Sequence, residues 1–186
     1  MSRSLFILLL MLGCTPVVPV CMTADCLCAG SKSCQPATCD RCAYDCSDSA
    51  QCTLSGGHDN VTNCAKSSVC TGALGDRASL TCSDSTRCEQ TMGHDALADC
   101  SGSSSCTITA KDRAKVTCSG SARCTVTAGH DATVTCGPGT SCQVDAGERA
   151  KVVCEGNSSC TVKCLSCSLT CASTASCSCT SGNCTP

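Results

Sequence analysis

The chain has 186 residues, 27 of them cysteine, with one Phe, one Tyr, no Trp and a formal net charge of −2. Nearly balanced charge and so few aromatic side chains exclude the basic surface and the stacking platforms with which proteins bind nucleic acid. Few large apolar side chains are available for a core, so the cysteines have to supply much of the stability as disulfides.

The N-terminus has the pattern of an export signal. Arg3 precedes an apolar run over residues 5–12, which is too short to span a bilayer and is typical of a signal peptide. The tetrapeptide MLGC, which ends at Cys14, resembles a bacterial lipobox. The resemblance implies a signal peptide over residues 1–13 and a membrane anchor through lipid on Cys14. Because Thr15 follows rather than Asp, it also implies sorting to the bacterial outer membrane, facing the periplasm or the surface; a secreted protein with an ordinary cleaved signal peptide is the alternative.

Two segments separate this signal from the repeats. Residues 14–20 contain two prolines, and we expect them to form an extended tether behind the lipidated cysteine. Residues 21–45 hold six cysteines without a regular spacing. We expect this segment to form an N-terminal cap, because the open end of a solenoid exposes core and strand edges.

Residues 46–163 follow an 18-residue repeat. Each repeat has Cys, five residues, Cys and an eleven-residue run, and six full repeats precede a divergent seventh that begins at Cys154. A fixed period near 20 residues is typical of a solenoid. Alternation of apolar and polar residues with a period of two predicts that Cys106 and Ile108 point inward and Thr107 outward. The sequence therefore predicts an all-β fold, a parallel β-solenoid of two-strand coils.

The two cysteines that open each repeat are predicted to form a disulfide within their own coil. Each such bond contributes about 2–4 kcal/mol in the chain-entropy model. Pairing between neighbouring coils is the alternative, because strands stack about 4.8 Å apart. The predicted pairs are Cys46–Cys52, Cys64–Cys70, Cys82–Cys88, Cys100–Cys106, Cys118–Cys124, Cys136–Cys142 and Cys154–Cys160.

A second pattern repeats over two coils. At one corner of each full repeat, which contains Gly in five of the six repeats, a His-Asp pair alternates with an acid-Arg pair. Stacked in register, these residues form two columns of alternating sign, if His is counted as partly cationic, whereas like charges facing each other would be destabilising. We expect this ladder to set the register between coils. Its members are His58, Asp59, Asp76, Arg77, His94, Asp95, Asp112, Arg113, His130, Asp131, Glu148 and Arg149.

Residues 164–186 form the second Cys-rich segment, which is also rich in Ser, Thr and Gly and which we expect to be a C-terminal cap. Cys14 apart, the cysteines fall into three groups of even size: six before the repeats, fourteen in them and six after them. If Cys14 carries the lipid, complete pairing of the rest is consistent with an oxidising compartment.

The pattern indicates no enzyme and no cofactor. His58, His94 and His130 recur along an edge, whereas an active site is usually one cluster in a pocket. Strand spacing places these histidines about 10 Å apart, too far for two of them to share an ion. The spacings Cys-x5-Cys and Cys-x11-Cys are poor for metal ligands, so no metal site is predicted.

The Cys-x5-Cys loops are similar to those of beetle β-solenoid antifreeze proteins, in which Thr-Cys-Thr on every coil forms a flat ice-binding array. Here the comparable outward pairs are Thr107 with Thr109 and Thr125 with Thr127. This resemblance implies a surface that binds a ligand such as ice.

The overall organisation resembles Cys-rich, repeat-containing outer-membrane lipoproteins of gliding and predatory bacteria, some of which serve adhesion or motility. The resemblance implies a non-enzymatic, lipid-anchored structural or interaction module of the cell surface or envelope, with a protein or a surface as partner. The alternative is a surface binder of ice, mineral or a metal ion, through the outward Thr face or the His/Asp edge. Histidines in the ladder also suggest pH sensing.

Overall fold

The computed structural model describes residues 25–185, which consist of strands and turns; the predicted signal peptide, Cys14, the tether and the first residues of the N-terminal cap lie outside this range. Within it, no helix has the length and apolar character needed to cross a membrane. The strands are β1 (Asp25–Ala29), β2 (Ser33–Cys34), β3 (Ala43–Ser47), β4 (Gln51–Ser55), β5 (Val61–Cys64), β6 (Val69–Leu74), β7 (Ser79–Cys82), β8 (Arg87–Met92), β9 (Leu97–Cys100), β10 (Ser105–Ala110), β11 (Lys115–Cys118), β12 (Arg123–Ala128), β13 (Thr133–Cys136), β14 (Ser141–Cys154), β15 (Ser159–Cys171) and β16 (Ser176–Thr185).

Each coil contributes one strand to each of two walls. One wall runs β1-β3-β5-β7-β9-β11-β13 and the other β2-β4-β6-β8-β10-β12, and β14 pairs with both walls. All of these pairings are parallel and join residues 18 apart, as in Cys106 with Cys124 and Thr107 with Thr125. The predicted parallel β-solenoid is therefore confirmed. The outward side of β4, β6, β8, β10, β12 and the first half of β14 is called the wide face, and that of β1, β3, β5, β7, β9, β11 and β13 the narrow face.

The core is thin because alternate residues of only two short strands per coil point inward. In β10, Cys106, Ile108 and Ala110 are buried and Thr107 and Thr109 are exposed, as the alternation predicts. Valine fills this core in the later coils, and the stacking of similar side chains gives a continuous apolar column. Such a column aligns each coil with the next, since a shift of one residue would turn every inward side chain outward.

The seven in-repeat cysteine pairs named above are disulfides in the structure, with their Cα atoms 6.4–6.6 Å apart. Each closes the turn between a narrow-face strand and the following wide-face strand, which is called the cystine corner. The sulfurs of neighbouring coils stack closely: those of Cys46, Cys52 and Cys70 lie within 4.8 Å of one another. The cystine corners therefore form a column of their own along the body.

The Cys-rich flanking segments also contain coils. On the N-terminal side, β1 pairs with β3 in the 18-residue register and Cys28 is disulfide-bonded to Cys34. On the C-terminal side, β15 and β16 continue the stack, but the register slips by one residue after Glu148 and Arg149 has no partner residue in β15. Over the described chain the solenoid thus makes about nine coils.

Candidate functional site

The turn from the wide face back to the narrow face carries the predicted ladder and is called the charged corner. In the coil of β12 it consists of residues 129–132. Asp131 at this corner has φ 57°, in the left-handed region, and its amide donates a hydrogen bond to the carbonyl of Glu148 in the next coil, at 3.0 Å. The same geometry recurs at Arg77 and Asp95, whose amides donate to His94 and Asp112 carbonyls. These backbone bonds, together with those that corner glycines such as Gly75 and Gly129 donate to the preceding coil, tie each coil to its neighbours.

The first ladder column acts through backbone hydrogen bonds. Oδ1 of Asp76 accepts a bond from the amide of His94 at 2.8 Å, and Nδ1 of His58 accepts one from the amide of Asp76 at 3.3 Å. Likewise, Nδ1 of His130 accepts the amide of Glu148 at 3.1 Å. Both Nδ1 of histidine and Oδ1 of aspartate are bonded to Cγ, so either residue reaches the amide of the coil above. This shared acceptor explains how either His or Asp can occupy a position in this column.

The hydrogen bonds to His58 and His130 require an unprotonated Nδ1. Oδ2 of Asp76 lies 3.6 Å from the same Nδ1 of His58, so a protonated ring would instead face a carboxylate. His94 differs: its Nδ1 is buried without a hydrogen-bond partner, 3.7 Å from Oδ2 of Asp112. At His58 and His130 the column thus uses histidine as a hydrogen-bond acceptor, which differs from the simple charge alternation that the sequence suggests.

The second column consists of separate ion pairs. Arg77 donates from Nε to Oδ1 of Asp59 at 2.7 Å and from Nη2 to Oδ2 at 2.8 Å. The pairs Arg113–Asp95 and Arg149–Asp131 have the same two-bond geometry. Each arginine thus bonds to the aspartate of the preceding coil, and the attraction of Arg77 and Arg113 to the aspartate of the following coil is through space alone. The column is therefore a series of two-coil units.

The ion pairs change the acidity of their carboxyl groups. The hydrogen bond from Arg77 holds the pKa of Asp59 below its usual value. Arg113 and Arg149 lower the pKa of Asp95 and Asp131 in the same way. In the first column the pKa of Asp76 is also lowered, because its carboxylate accepts the His94 amide. These side chains are exposed, so solvent screens the pairs and limits their contribution to stability.

The sequence interpretation missed two members of the charged corner, Asp40 and Arg41. Oδ1 of Asp40 accepts a bond from the amide of His58 at 2.7 Å, and the amide of Arg41 donates to the carbonyl of His58 at 2.8 Å. Their Asp-Arg sequence lies 18 residues before His58 and Asp59, so one more step back in the repeat would have found them. A disulfide between Cys39 and Cys42 encloses this corner.

The wide face presents the outward threonines in register. Thr107 lies beside Thr125 and Thr109 beside Thr127 on adjacent strands. Thr91 extends the second of these rows towards the N-terminal side. Charged and larger polar residues interrupt the rows at Glu89, Gln143 and Asp145, which lie in the same columns.

A shallow groove on the wide face is lined by threonines of three neighbouring coils, with Gly72, Glu89 and Gln90 between them. Inside it, Gln90 is 2% exposed, and neither atom of its amide has a hydrogen-bond partner. Gln90 occupies the inward position that is taken by Ile108 in the next coil. The groove is open and lined mainly by hydroxyl groups, so it offers polar contacts to a ligand rather than an enclosed reaction chamber.

The narrow face is apolar near its N-terminal end. Leu27 is 70% exposed and Val61 57% exposed, and both line a groove with Ala43 and the buried Tyr44. Burial raises the pKa of the Tyr44 phenol. Further along the same face, Leu97 is also half exposed.

The sulfur column is a poor site for a metal ion in this structure. Thiolate is the form of cysteine that binds a metal. In the close group Cys64, Cys82 and Cys88, the last two sulfurs are already joined in a disulfide. The same holds for Cys136, Cys154 and Cys160.

Comparisons with protein-family models, with curated proteins and with solved structures find no match for this chain. Its description rests on its own architecture: a cysteine-rich β-solenoid with one disulfide at each cystine corner and hydrogen-bonded, charged corners opposite.

Proposed function

We propose that this chain is a non-enzymatic, lipid-anchored module of the bacterial outer membrane that presents its wide face to a protein or surface partner. The observation that carries the proposal is the in-register display of side chains on this face. Rows such as Thr109 beside Thr127 repeat at the strand spacing of about 4.8 Å. A stack held by disulfides and backbone bonds loses little freedom on binding, which favours recognition of an extended surface.

The anchoring part of the proposal depends on the lipobox-like sequence that ends at Cys14. The test is expression of the full chain in a bacterium with an outer membrane, fed with an alkyne-tagged fatty acid. We expect label in the outer-membrane fraction, lost when Cys14→Ala is introduced. The intact mass should show an acyl group and 26 cysteines that react with alkylating agent only after reduction. An unlabelled, soluble protein would overturn the anchor.

The interaction part is tested by photo-crosslinking on cells. A photoreactive residue is placed at Thr109 or Thr127 on the wide face, and at Asn63 or Thr81, which are also exposed, on the narrow face as matched controls. We expect a discrete crosslinked species from the wide-face positions and none from the controls. Equal crosslinking from both faces, or none from either, would contradict a wide-face partner.

A second candidate function is binding of ice or mineral by the same face. The paired threonines at Thr107–Thr109 and Thr125–Thr127 favour it, because they repeat in register on adjacent coils. Purified protein should then show thermal hysteresis that is abolished by Thr125→Tyr with Thr127→Tyr. A freezing curve like that of buffer would eliminate the ice-binding candidate and leave the first proposal intact.

A further inference from the structure

Four cysteines lie together in the last two coils. Cys164 is disulfide-bonded to Cys167, and Cys179 to Cys184. The two bonds are adjacent, because Cys184 pairs in register with Cys167 on the neighbouring strand. Sγ of Cys184 lies 3.6 Å from Sγ of Cys164 and 3.9 Å from Sγ of Cys167. One sulfur of the outer disulfide is thus in contact with both sulfurs of the inner one.

The two disulfides differ in access to solvent. Cys164 and Cys167 are each 3% exposed, whereas Cys184 is half-buried and Cys179 is exposed. Thiol–disulfide exchange requires that a thiolate reach a sulfur of the bond. An external thiol therefore has access to Cys179 in preference to the other three.

We propose that these four residues form a thiol–disulfide exchange site whose co-reactant is a thiol, of small-molecule or protein origin. In the first step, the external thiolate attacks Sγ of Cys179 and forms a mixed disulfide with it. The Cys179–Cys184 bond breaks, and its electron pair leaves on Sγ of Cys184. In the second step, Sγ of Cys184, freed from its own bond, rotates from its position beside the Cys164–Cys167 bond into line with it, and the thiolate attacks Sγ of Cys164, the nearer sulfur. The Cys164–Cys167 bond breaks, and Cys167 takes the electron pair and then a proton from water.

The sum of the two steps balances without any further oxidant or reductant. One external thiol is consumed, and the products are one mixed disulfide at Cys179, one Cys164–Cys184 disulfide and one thiol at Cys167. The second step moves the thiol from a half-buried to a buried position. A neutral cysteine thiol behaves as a small apolar group, so burial at Cys167 stabilises the exchanged form. The site would thereby retain a captured thiol at Cys179 while its own reactive thiol is withdrawn from solvent.

The test uses the full chain with Cys179→Ser, which leaves Cys184 without its disulfide partner. The oxidised protein is held at neutral pH, quenched with acid, unfolded and alkylated with N-ethylmaleimide at low pH. Digestion without reductant, with chymotryptic cleavage after Leu165 and Leu169, separates Cys164, Cys167 and Cys184. We expect most of the maleimide on Cys167, with Cys164 linked to Cys184. Most of the label on Cys164, with Cys167 linked to Cys184, would also support exchange.

Maleimide mainly on Cys184, with the Cys164–Cys167 bond intact, would overturn the proposal. The matched control is Cys42→Ser, which frees the first cysteine of the other Cys-x-x-Cys pair. That sulfur, on Cys39, lies 3.1 Å from Oη of Tyr44, and its thiol should remain on Cys39. Migration of the thiol in the control as well would indicate general scrambling and would contradict a dedicated site.

A second measurement tests the proposal on wild-type protein, so that it does not depend on the folding of Cys179→Ser. Wild-type protein is treated with one molar equivalent of glutathione and analysed in the same way. The expected adduct is glutathione on Cys179 together with a maleimide-labelled Cys167 or Cys164. An adduct predominantly on any other cysteine would overturn the proposal, as would a Cys179 adduct with the label still on Cys184.

Discussion

The two corners of each coil solve the same structural problem by different means. The cystine corner turns the chain through left-handed residues, such as Gly120, and closes the turn with a covalent bond inside its own coil, as in Cys118–Cys124. The charged corner turns it with a left-handed residue and ties each coil to the next through the amide of Asp131 and the Asp131–Arg149 ion pair. Covalent bonds thus fix the shape of a coil, and non-covalent bonds fix its position in the stack.

The ends of the ladder support this division. Where the ladder begins, Cys39–Cys42 encloses Asp40 and Arg41; where it ends, Cys164–Cys167 replaces the corner altogether. Flanking coils have fewer charged neighbours to hold their corners. At the two ends, a disulfide holds the turn of the charged corner, whereas in the interior the bonds to the adjoining coils hold it.

Loss of an interior cystine corner should have the largest effect on stability. The double variant Cys118→Ala with Cys124→Ala is expected to lower the free energy of unfolding by about 2–4 kcal/mol, because the unfolded chain regains its freedom and the folded core loses packed sulfur. Guanidinium unfolding followed by circular dichroism measures the change. The companion variant Cys39→Ala with Cys42→Ala should lose less. A larger loss at Cys39–Cys42 would reverse the comparison between the two corners.

The second-largest effect on stability should come from adding a methyl group at the charged corner. A Cβ on Gly129 would collide with Oδ1 of Asp112 and approach the backbone nitrogen of Asp112 to 2.8 Å. Gly129→Ala is therefore expected to destabilise the protein by about 1–3 kcal/mol, as overpacking does. Lys111 occupies the corresponding position one coil earlier, so Lys111→Ala is the control and should leave the unfolding midpoint nearly unchanged. Equal midpoints for wild type and Gly129→Ala would show that the corner relaxes freely.

Acid should weaken the charged corner specifically. The pKa values of Asp59, Asp95 and Asp131 are lowered in the folded state, so the unfolded chain binds more protons in the acid range. Their contribution to stability is present above the ordinary aspartate pKa of about 3.9 and is lost as the pH falls below it. In a series measured from pH 7 to pH 2, the melting temperature should therefore decrease once the pH drops below that value. With all three arginine partners changed to methionine, the decline should be shallower; parallel curves would contradict the assignment.

The smallest effect should come from exchanging one ion pair. Asp95→Arg combined with Arg113→Asp keeps a salt bridge between these two coils but places like charges beside Arg77 and Asp131. Because those longer contacts act only through space and are screened, the melting temperature should fall slightly, and less than with Asp95→Arg alone. If the melting temperature of the double variant is no higher than that of Asp95→Arg alone, continuous alternation of charge along the column contributes more to stability than the separate ion pairs.

Much of the fold could be predicted from periodicity alone. An 18-residue repeat with alternating inward residues constrains strand register, and it predicted the buried Ile108 and the Cys106–Cys100 disulfide seen in the structure. Hydrogen-bond partners at the corners were not predictable, because they depend on backbone dihedral angles that residue type does not fix. An arginine with φ 56° at Arg77 is one such case. The buried, unpartnered Gln90 is another, since its position in the repeat only marks it as an exception.

The two-coil unit of the ion-pair column also limits how such a body can lengthen. Duplication of one 18-residue coil would stack aspartate on aspartate or arginine on arginine at the insertion point. A second copy of the coil that contains Asp131, for example, would place an aspartate in the position now held by Arg149. Duplication of 36 residues would preserve every pair. Growth by gene duplication is therefore favoured in steps of two coils, each adding about 10 Å to the length of the body.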